Sequence, residues 1–134
     1  MTEEQKDLKD LLLKDLCARL PYGVKFACNK NVYTAKGLDL IVTDEGDWEY
    51  AVTAKGIAPI EIDFIKPYLF PLSSMTEEQK IIYGDLCYAI IHSLAWDTQA
   101  ALNELNDWLN KNHFDYNNLI PKGLANDATN LNVY

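Results

Sequence analysis

The 134-residue sequence predicts an α+β fold: an N-terminal amphipathic helix, a small four-stranded antiparallel sheet that can curl into an SH3-like barrel, and a C-terminal helix pair with an ordered irregular tail. Three observations predict it. The hexamer MTEEQK stands at 1–6 and again at 75–80, each time ahead of apolar residues at helical spacing. Between Val24 and Phe64 the apolar period is two. Pro67 and Pro71 then separate this region from the second helix start. The chain reads as a single domain over 1–134, with a helix over 1–20, the sheet over 22–66, a proline strap over 67–75, two helices over 76–112 and the irregular tail over 113–134.

Each hexamer is a helix start. Thr2 with Gln5, and Thr76 with Gln79, form capping boxes, in which the threonine hydroxyl and the glutamine side chain satisfy amides reciprocally. The pairs Glu3–Glu4 and Glu77–Glu78 fall in the first turn, where the helix dipole favours negative charge. The continuations differ. Leu8, Leu11, Leu12, Leu16 and Leu20 make one stripe, with Lys6, Lys9, Asp10, Lys14 and Asp15 largely off it, so the first helix is a surface helix. Ile81, Ile82, Tyr83, Leu86, Cys87, Ala89, Ile90, Ile91 and Leu94 are apolar over most of a circumference, so the second is expected to be buried or covered on two sides. Asp-Leu-Cys also recurs, at 15–17 and 85–87, but at an offset different from the hexamer's. The repeat is a reused helix start and not a duplicated fold.

Leu20-Pro21-Tyr22-Gly23 stops the first helix. Val24, Phe26 and Cys28 then alternate with polar or small residues, and the run from Val32 to Val42 is rich in β-formers, with Gly37 a bend or bulge. The turn Asp44-Glu45-Gly46-Asp47 leads into Trp48, Tyr50, Val52 and Ala54 on one face and Glu49, Thr53 and Lys55 on the other. Ile60, Ile62 and Phe64 form the last alternation. The strap has two prolines but too many apolar residues for a free linker, so it packs as an extended segment. Asp97 can cap a third helix whose stripe is Ala101, Leu102, Leu105, Trp108 and Leu109. Phe114, Tyr116, Leu119, Ile120, Leu124, Leu131, Val133 and Tyr134 are anchors that hold the tail to the body.

Composition narrows function. A formal net charge of −8, with twelve Lys and Arg scattered singly, repels phosphate backbones, so no nucleic-acid partner is expected. No apolar run approaches membrane-spanning length, and the N-terminus lacks a signal peptide's basic and apolar regions, so a cytoplasmic protein without a membrane partner is expected. Cys17, Cys28 and Cys87 are three, widely spaced and without CxxC, which fits reduced core cysteines better than a disulfide framework or zinc site.

Motif chemistry is sparse. His92 and His113 have no carboxylate or cysteine at metal-ligand spacing, and neither HExxH nor GxSxG is present, so core or capping roles are favoured. No glycine-rich phosphate loop occurs. Gly84, inside the second helix, costs about 1 kcal/mol against alanine, and close approach of another element is its expected compensation. Asp39, Asp44, Glu45, Asp47 and Glu49 are the densest acidic patch, but their order is not that of a calcium loop, and a solvated hairpin tip is the simpler reading. No catalytic, cofactor-binding or metal-ligating residue is therefore expected, and an enzyme is disfavoured. Tyr22, Tyr33, Trp48, Tyr50 and Tyr68 are read first as the core of a small sheet, and second as interface aromatics beside a proline strap. The candidate interaction residues are Asp44, Glu45, Asp47, Trp48, Tyr50, Tyr68 and Phe70.

Three strings, LCARLPYGV at 16–24, KPYLFPLSSMTEEQ at 66–79 and DWLNKNHFDYNNLIPKGLANDAT at 107–129, resemble a family of small proteins encoded by Bacteroides-type gut bacteria and their phages. The likeness runs in the same order over nearly the whole chain. It implies a mobile-element origin and expression in the cytoplasm of a bacterial host, and carries no established activity. Relatives often have a basic residue at the position of Phe70, so no charge-based role is implied there. The expected function is that of a non-enzymatic accessory protein of phage or prophage origin that binds a host or phage protein, with self-association as a homo-oligomer an option. One alternative is a binder that sequesters a nucleotide signal, for which Arg19, Lys25, Lys36 and Lys55 are the available cations. Another is a minor virion or packaging component.

Overall fold

Thr2 starts the first helix as its spacing requires. In the computed structural model, which describes residues 2–94 and 96–134, the Thr2 hydroxyl accepts from the Gln5 amide at 3.1 Å and Gln5 Oε1 accepts from the Thr2 amide at 2.9 Å. Helix α1 spans Glu3–Arg19 and gives way to a 3-10 turn over Leu20–Tyr22. Gly23, at φ 72, closes it in a left-handed conformation that glycine adopts without penalty. The second capping box, at Thr76 and Gln79, begins helix α2, Glu77–Ile91. Helix α3 spans Thr98–Lys111 from Asp97, whose side chain makes no capping hydrogen bond.

The antiparallel strands lie between α1 and α2. Strands β1 (Lys25–Cys28) and β2 (Asn31–Thr34) form a tight hairpin whose two turn residues, Asn29 and Lys30, both have positive φ. Strands β3 (Gly37–Val42) and β4 (Trp48–Thr53) pair from Gly37–Thr53 to Val42–Trp48, and β5 (Ile60–Glu61) adds to the other edge of β4. The run from Val32 to Val42 breaks at Ala35-Lys36, just before Gly37. There the Ala35 amide donates to Val24 O at 2.9 Å and the Lys36 amide to Thr53 O at 2.8 Å, stapling hairpin to meander. The ladders β1–β2 and β3–β4–β5 stay separate, so the strands do not close into an SH3-like barrel among the described residues.

Two local expectations change. The alternation Ile60, Ile62, Phe64 is a strand only as far as Glu61. The chain then winds into a 3-10 turn over Ile62–Phe64, which sends Ile62 and Ile65 into the core and Phe64 out to solvent. The strap is more than a packed linker. Tyr68–Pro71 is strand β6, the centre of a parallel sheet between β7 (Phe114–Asp115) and β8 (Asn126–Asp127) in the tail. A bridge from Phe26 to Pro67 ties it to β1. Two-residue strands have no period to read, so the tail looks irregular in sequence.

The main core gathers Leu12 and Leu16 of α1, Val24, Phe26, Val52, Ile62, Ile65, Leu69 and Leu119. A second cluster of Met75, Leu109 and Phe114, with Phe70, Tyr83 and Trp108 against it, joins the helix pair to the tail. The expectation of a covered α2 is overturned: none of its described residues is buried. Tyr83, Leu86, Cys87 and Ile90 turn inward and are half-buried, but Ile81, Ile82, Tyr88 and Ile91 face out. The physical reason is that α3 covers one face, and among the described residues no other element packs closely on the opposite one.

A second correction falls on α1. Asp15, placed off the apolar stripe, is buried, and so is Arg19 one turn on. Arg19 Nε donates to Asp15 Oδ2 at 2.7 Å, and Nη2 reaches Phe114 O at 2.6 Å. Asn117 donates to Asp15 Oδ1 at 2.8 Å, and the guanidinium lies 5.0 Å from the Tyr116 ring centroid. Removing one member of such a pair strands the other charge in the core. Arg19→Met is expected to lower unfolding free energy by about 3–5 kcal/mol in denaturant titration, and Asp15→Leu combined with Arg19→Met by less than Arg19→Met alone.

Candidate functional site

The β3–β4 hairpin carries five of the seven candidate residues. Its tip is closed by Thr43, whose amide donates to Asp47 O at 2.8 Å and whose carbonyl accepts from Gly46 at 2.9 Å. Gly46 takes φ 87, which any side chain would resist. This turn leaves Asp44, Glu45 and Asp47 exposed.

Pairing register assigns the faces beyond the tip. Leu38–Val52, Leu40–Tyr50 and Val42–Trp48 are directly opposed pairs, so all six side chains lie on one side of the ribbon. Val52 is in the core and Leu38 packs against it. The next two pairs run past the edge of the core: Leu40, Val42, Trp48 and Tyr50 are exposed, Trp48 at 71%. Trp48 and Tyr50 are thus surface aromatics and not sheet core. Leu40 and Val42 were not singled out by sequence; the signal was their position opposite Tyr50 and Trp48 across a short turn.

The other side of the ribbon is acidic. Glu49 pairs with Lys9 of α1, and Lys9 Nζ also lies 3.3 Å from Asp63. Burial lowers the Lys9 pKa, but the hydrogen bond to Glu49 and the charge of Asp63 outweigh it and leave the ammonium above its ordinary value. Asp44, Glu45, Asp47, Glu49, Glu61 and Asp63 line a depression of about 490 Å³ in which Lys9 is the one cation. Among the described residues no group of three His, Cys, Asp or Glu could hold a metal ion. The hairpin therefore offers an apolar face on one side and a negative field on the other.

Tyr68 and Phe70 lie apart from these residues, on β6. The Tyr68 carbonyl accepts from the Tyr134 hydroxyl at 2.8 Å, and the same hydroxyl accepts from the Lys25 amide at 2.8 Å. The Phe70 ring sits 6.4 Å from Phe114 and 5.9 Å from Tyr134. His113, at φ 61 after the end of α3, stacks on Tyr134 at 3.6 Å and 12°. These rings, with Ser74, Thr76, Gln79 and Lys111, line a depression of about 380 Å³. Nothing in the sequence pairs a C-terminal tyrosine with His113. His92 is the exposed C-cap of α2 and not a core histidine, its ring 4.0 Å from that of Tyr88. Arg19, a candidate cation for a ligand, is enclosed in the core, and Lys25 lies 5.8 Å from the Tyr134 ring.

Burial, reinforced by Arg19 and Lys25, lowers the His113 pKa from 6.5 to about 4. Burial likewise pushes the Tyr134 hydroxyl up to about 12. The unfolded chain binds the His113 proton more readily than the folded one, so this residue's contribution is full above pH 6.5 and lost as pH falls towards 4. The His113 ring protons are expected to titrate in NMR near pH 4, and His113→Phe is expected to flatten the stability-versus-pH curve across that window.

Compared with known proteins, the chain matches no family model, no curated protein and no solved structure. No described helix is long and apolar enough to cross a membrane.

Proposed function

We propose that the protein is a non-enzymatic interaction protein that docks a basic host or phage protein on its β3–β4 hairpin. The observation that carries this reading is the exposed apolar face of Leu40, Val42, Trp48 and Tyr50, which continues a core face and ends at the acidic tip of Asp44, Glu45 and Asp47. An aromatic centre rimmed by like charges is the anatomy of a protein interface whose partner carries the opposite sign. From Asp39 to Glu49 the ribbon has no Lys or Arg, which repels an acidic partner and favours a basic one. Tyr68 and Phe70 belong to the packing of the tail in this reading, and not to the docking face. A phage or prophage origin and a bacterial cytoplasm are the setting that the sequence resemblance supports.

The test is recovery of a partner by the tagged chain from its host background, followed by titration with hairpin variants. Trp48→Ala is expected to weaken the complex about tenfold or more, as loss of a buried aromatic anchor does. Asp44→Lys and Asp47→Lys are expected to act mainly on the association rate, with the loss shrinking as salt is raised. A partner whose binding survives all three substitutions would remove the hairpin from consideration. Presence of the chain in purified particles would instead favour a virion component.

A second reading rests on the depression beside β6. His113 Nδ1 is enclosed there without a hydrogen-bond partner, among three aromatic rings and near Lys111. An anionic, planar small molecule such as a nucleotide suits that combination of rings and donors. Thermal-shift measurements of dialysed protein with a nucleotide panel are expected to show a rise that Tyr134→Ala abolishes; no shift with any nucleotide counts against this reading.

A further inference from the structure

Among the described residues β4 is the one strand that pairs with β3, and on the far side of β4 the short β5 reaches only Ala51 and Val52. The outer half of the hairpin is therefore a two-stranded ribbon with no strand on either edge. Its register fixes which backbone groups face outward. The Thr43 amide donates to Asp47 O at 2.8 Å, which marks that opposed pair as hydrogen-bonded, and such pairs alternate along the ribbon. Asp39–Ala51 and Ile41–Glu49 thus bond across it, whereas Leu40 and Tyr50 turn their amides and carbonyls outward, one to each edge.

Both outward amides are already taken. Leu40 N donates to Asp39 Oδ1 at 2.9 Å, and Tyr50 N donates to Glu49 Oε1 at 2.9 Å. Each acceptor belongs to the preceding residue, and the two caps stand at one level of the ribbon, on opposite edges. Glu49 also pairs with Lys9 through its other oxygen. Asp39 is exposed, and among the described residues its side chain has the Leu40 amide as its one hydrogen-bond partner and forms no ion pair.

We infer that Asp39, with Glu49 across the ribbon, guards the hairpin edge and keeps a second copy of the chain from adding to it as a further strand. The segment calls for a guard. Leu38-Asp39-Leu40-Ile41-Val42 has four aliphatic side chains and a single charge, and it forms an edge beside exposed Leu40, Val42, Trp48 and Tyr50. An incoming strand bonds to an edge by presenting a carbonyl oxygen to each outward amide. At Leu40 that oxygen meets an amide already bonded and a negative charge that repels it. Leu40 is the middle outward residue of β3, between Leu38 and Val42, so a strand pairing along the whole edge must cross it. The role concerns the edge and not the apolar face, so it holds whether or not the hairpin docks another protein.

Hydrogen exchange and assembly kinetics test it. The Val42 amide faces the same edge but follows Ile41 and not a carboxylate. After correction for intrinsic rates, the Leu40 amide of the native chain is expected to exchange about tenfold more slowly than that of Val42, the factor one net hydrogen bond gives. In light scattering and thioflavin T fluorescence, Asp39→Ala is expected to assemble about tenfold or more faster than the unaltered chain. Asp39→Asn keeps the acceptor oxygen and is expected to fall nearer the unaltered chain than to Asp39→Ala. Adding Leu40→Pro to Asp39→Ala is expected to restore slow assembly, because proline offers no amide and this amide lies outside the β3–β4 ladder. Circular dichroism shows that each variant is folded before its rate is read, and exchange on the native chain decides alone if Asp39→Ala does not fold. Equal exchange at Leu40 and Val42, no gain in assembly by folded Asp39→Ala, Asp39→Asn as fast as Asp39→Ala, or assembly that survives Leu40→Pro each overturns the inference.

Discussion

Arg19 is the residue on which the two ends of the chain depend. It sits at the last turn of α1, with no exposed surface, and its guanidinium meets Asp15, the Phe114 carbonyl and the Tyr116 ring. A cation in that position is tolerable only because its counter-charge lies one turn earlier on the same helix and is held by Asn117 from the tail. The node thus joins residues about a hundred positions apart by charge-assisted hydrogen bonds, whose geometry admits few alternatives. Asp115 extends it by accepting from the amides of Leu119 and Ile120, so that the chain after β7 turns back and buries Leu119.

From that node the remaining architecture follows in order. Docking Phe114 on α1 sets β7 beside β6, and β6 then has a second free edge that β8 fills. The sheet is parallel because strap and tail run the same way, with the helix pair as the long connection between them. Aromatic contacts carry the helix pair on this base: Tyr83 to Trp108, Trp108 to Phe114 and Phe114 to Phe70. Those contacts use the inner side of α2 alone. Its outer side, and the distal half of the β3–β4 ribbon, are two places where apolar sequence outruns the core available to cover it.

Sequence pattern disclosed what is local. Both capping boxes, the break at Leu20–Gly23, the period-two strands and the boundaries of α3 follow from residues within a turn or two of one another. The strap was legible as extended and packed, through its prolines and apolar content, but not as the centre of a sheet, because its partners lie some forty to sixty positions downstream and are two residues long. Burial was least legible where it depended on what stood opposite. Asp15 has the spacing of a solvent residue and is buried by Arg19 and Asn117. Ile81 and Tyr88 have the chemistry of a core and are left outside because, among the described residues, α3 packs on the opposite face of α2 and no element packs closely on theirs. At the hairpin, the acidic tip and Trp48 were visible in sequence. That Leu40 and Val42 complete their face was not, since it depends on a register set by the turn at Thr43–Asp47.

These two surfaces differ in the charge that borders them. The hairpin face borders a depression with six carboxylates and a single ammonium, so a second copy of this acidic chain would bring like fields together there. The α2 face instead holds a carboxylate, Asp85, among its exposed apolar side chains, with Glu77 and Glu78 at the helix start. Sign therefore turns the hairpin away from a second copy of this chain. Neither surface extends without cost, because each added exposed apolar residue also adds to the tendency of the free chain to aggregate.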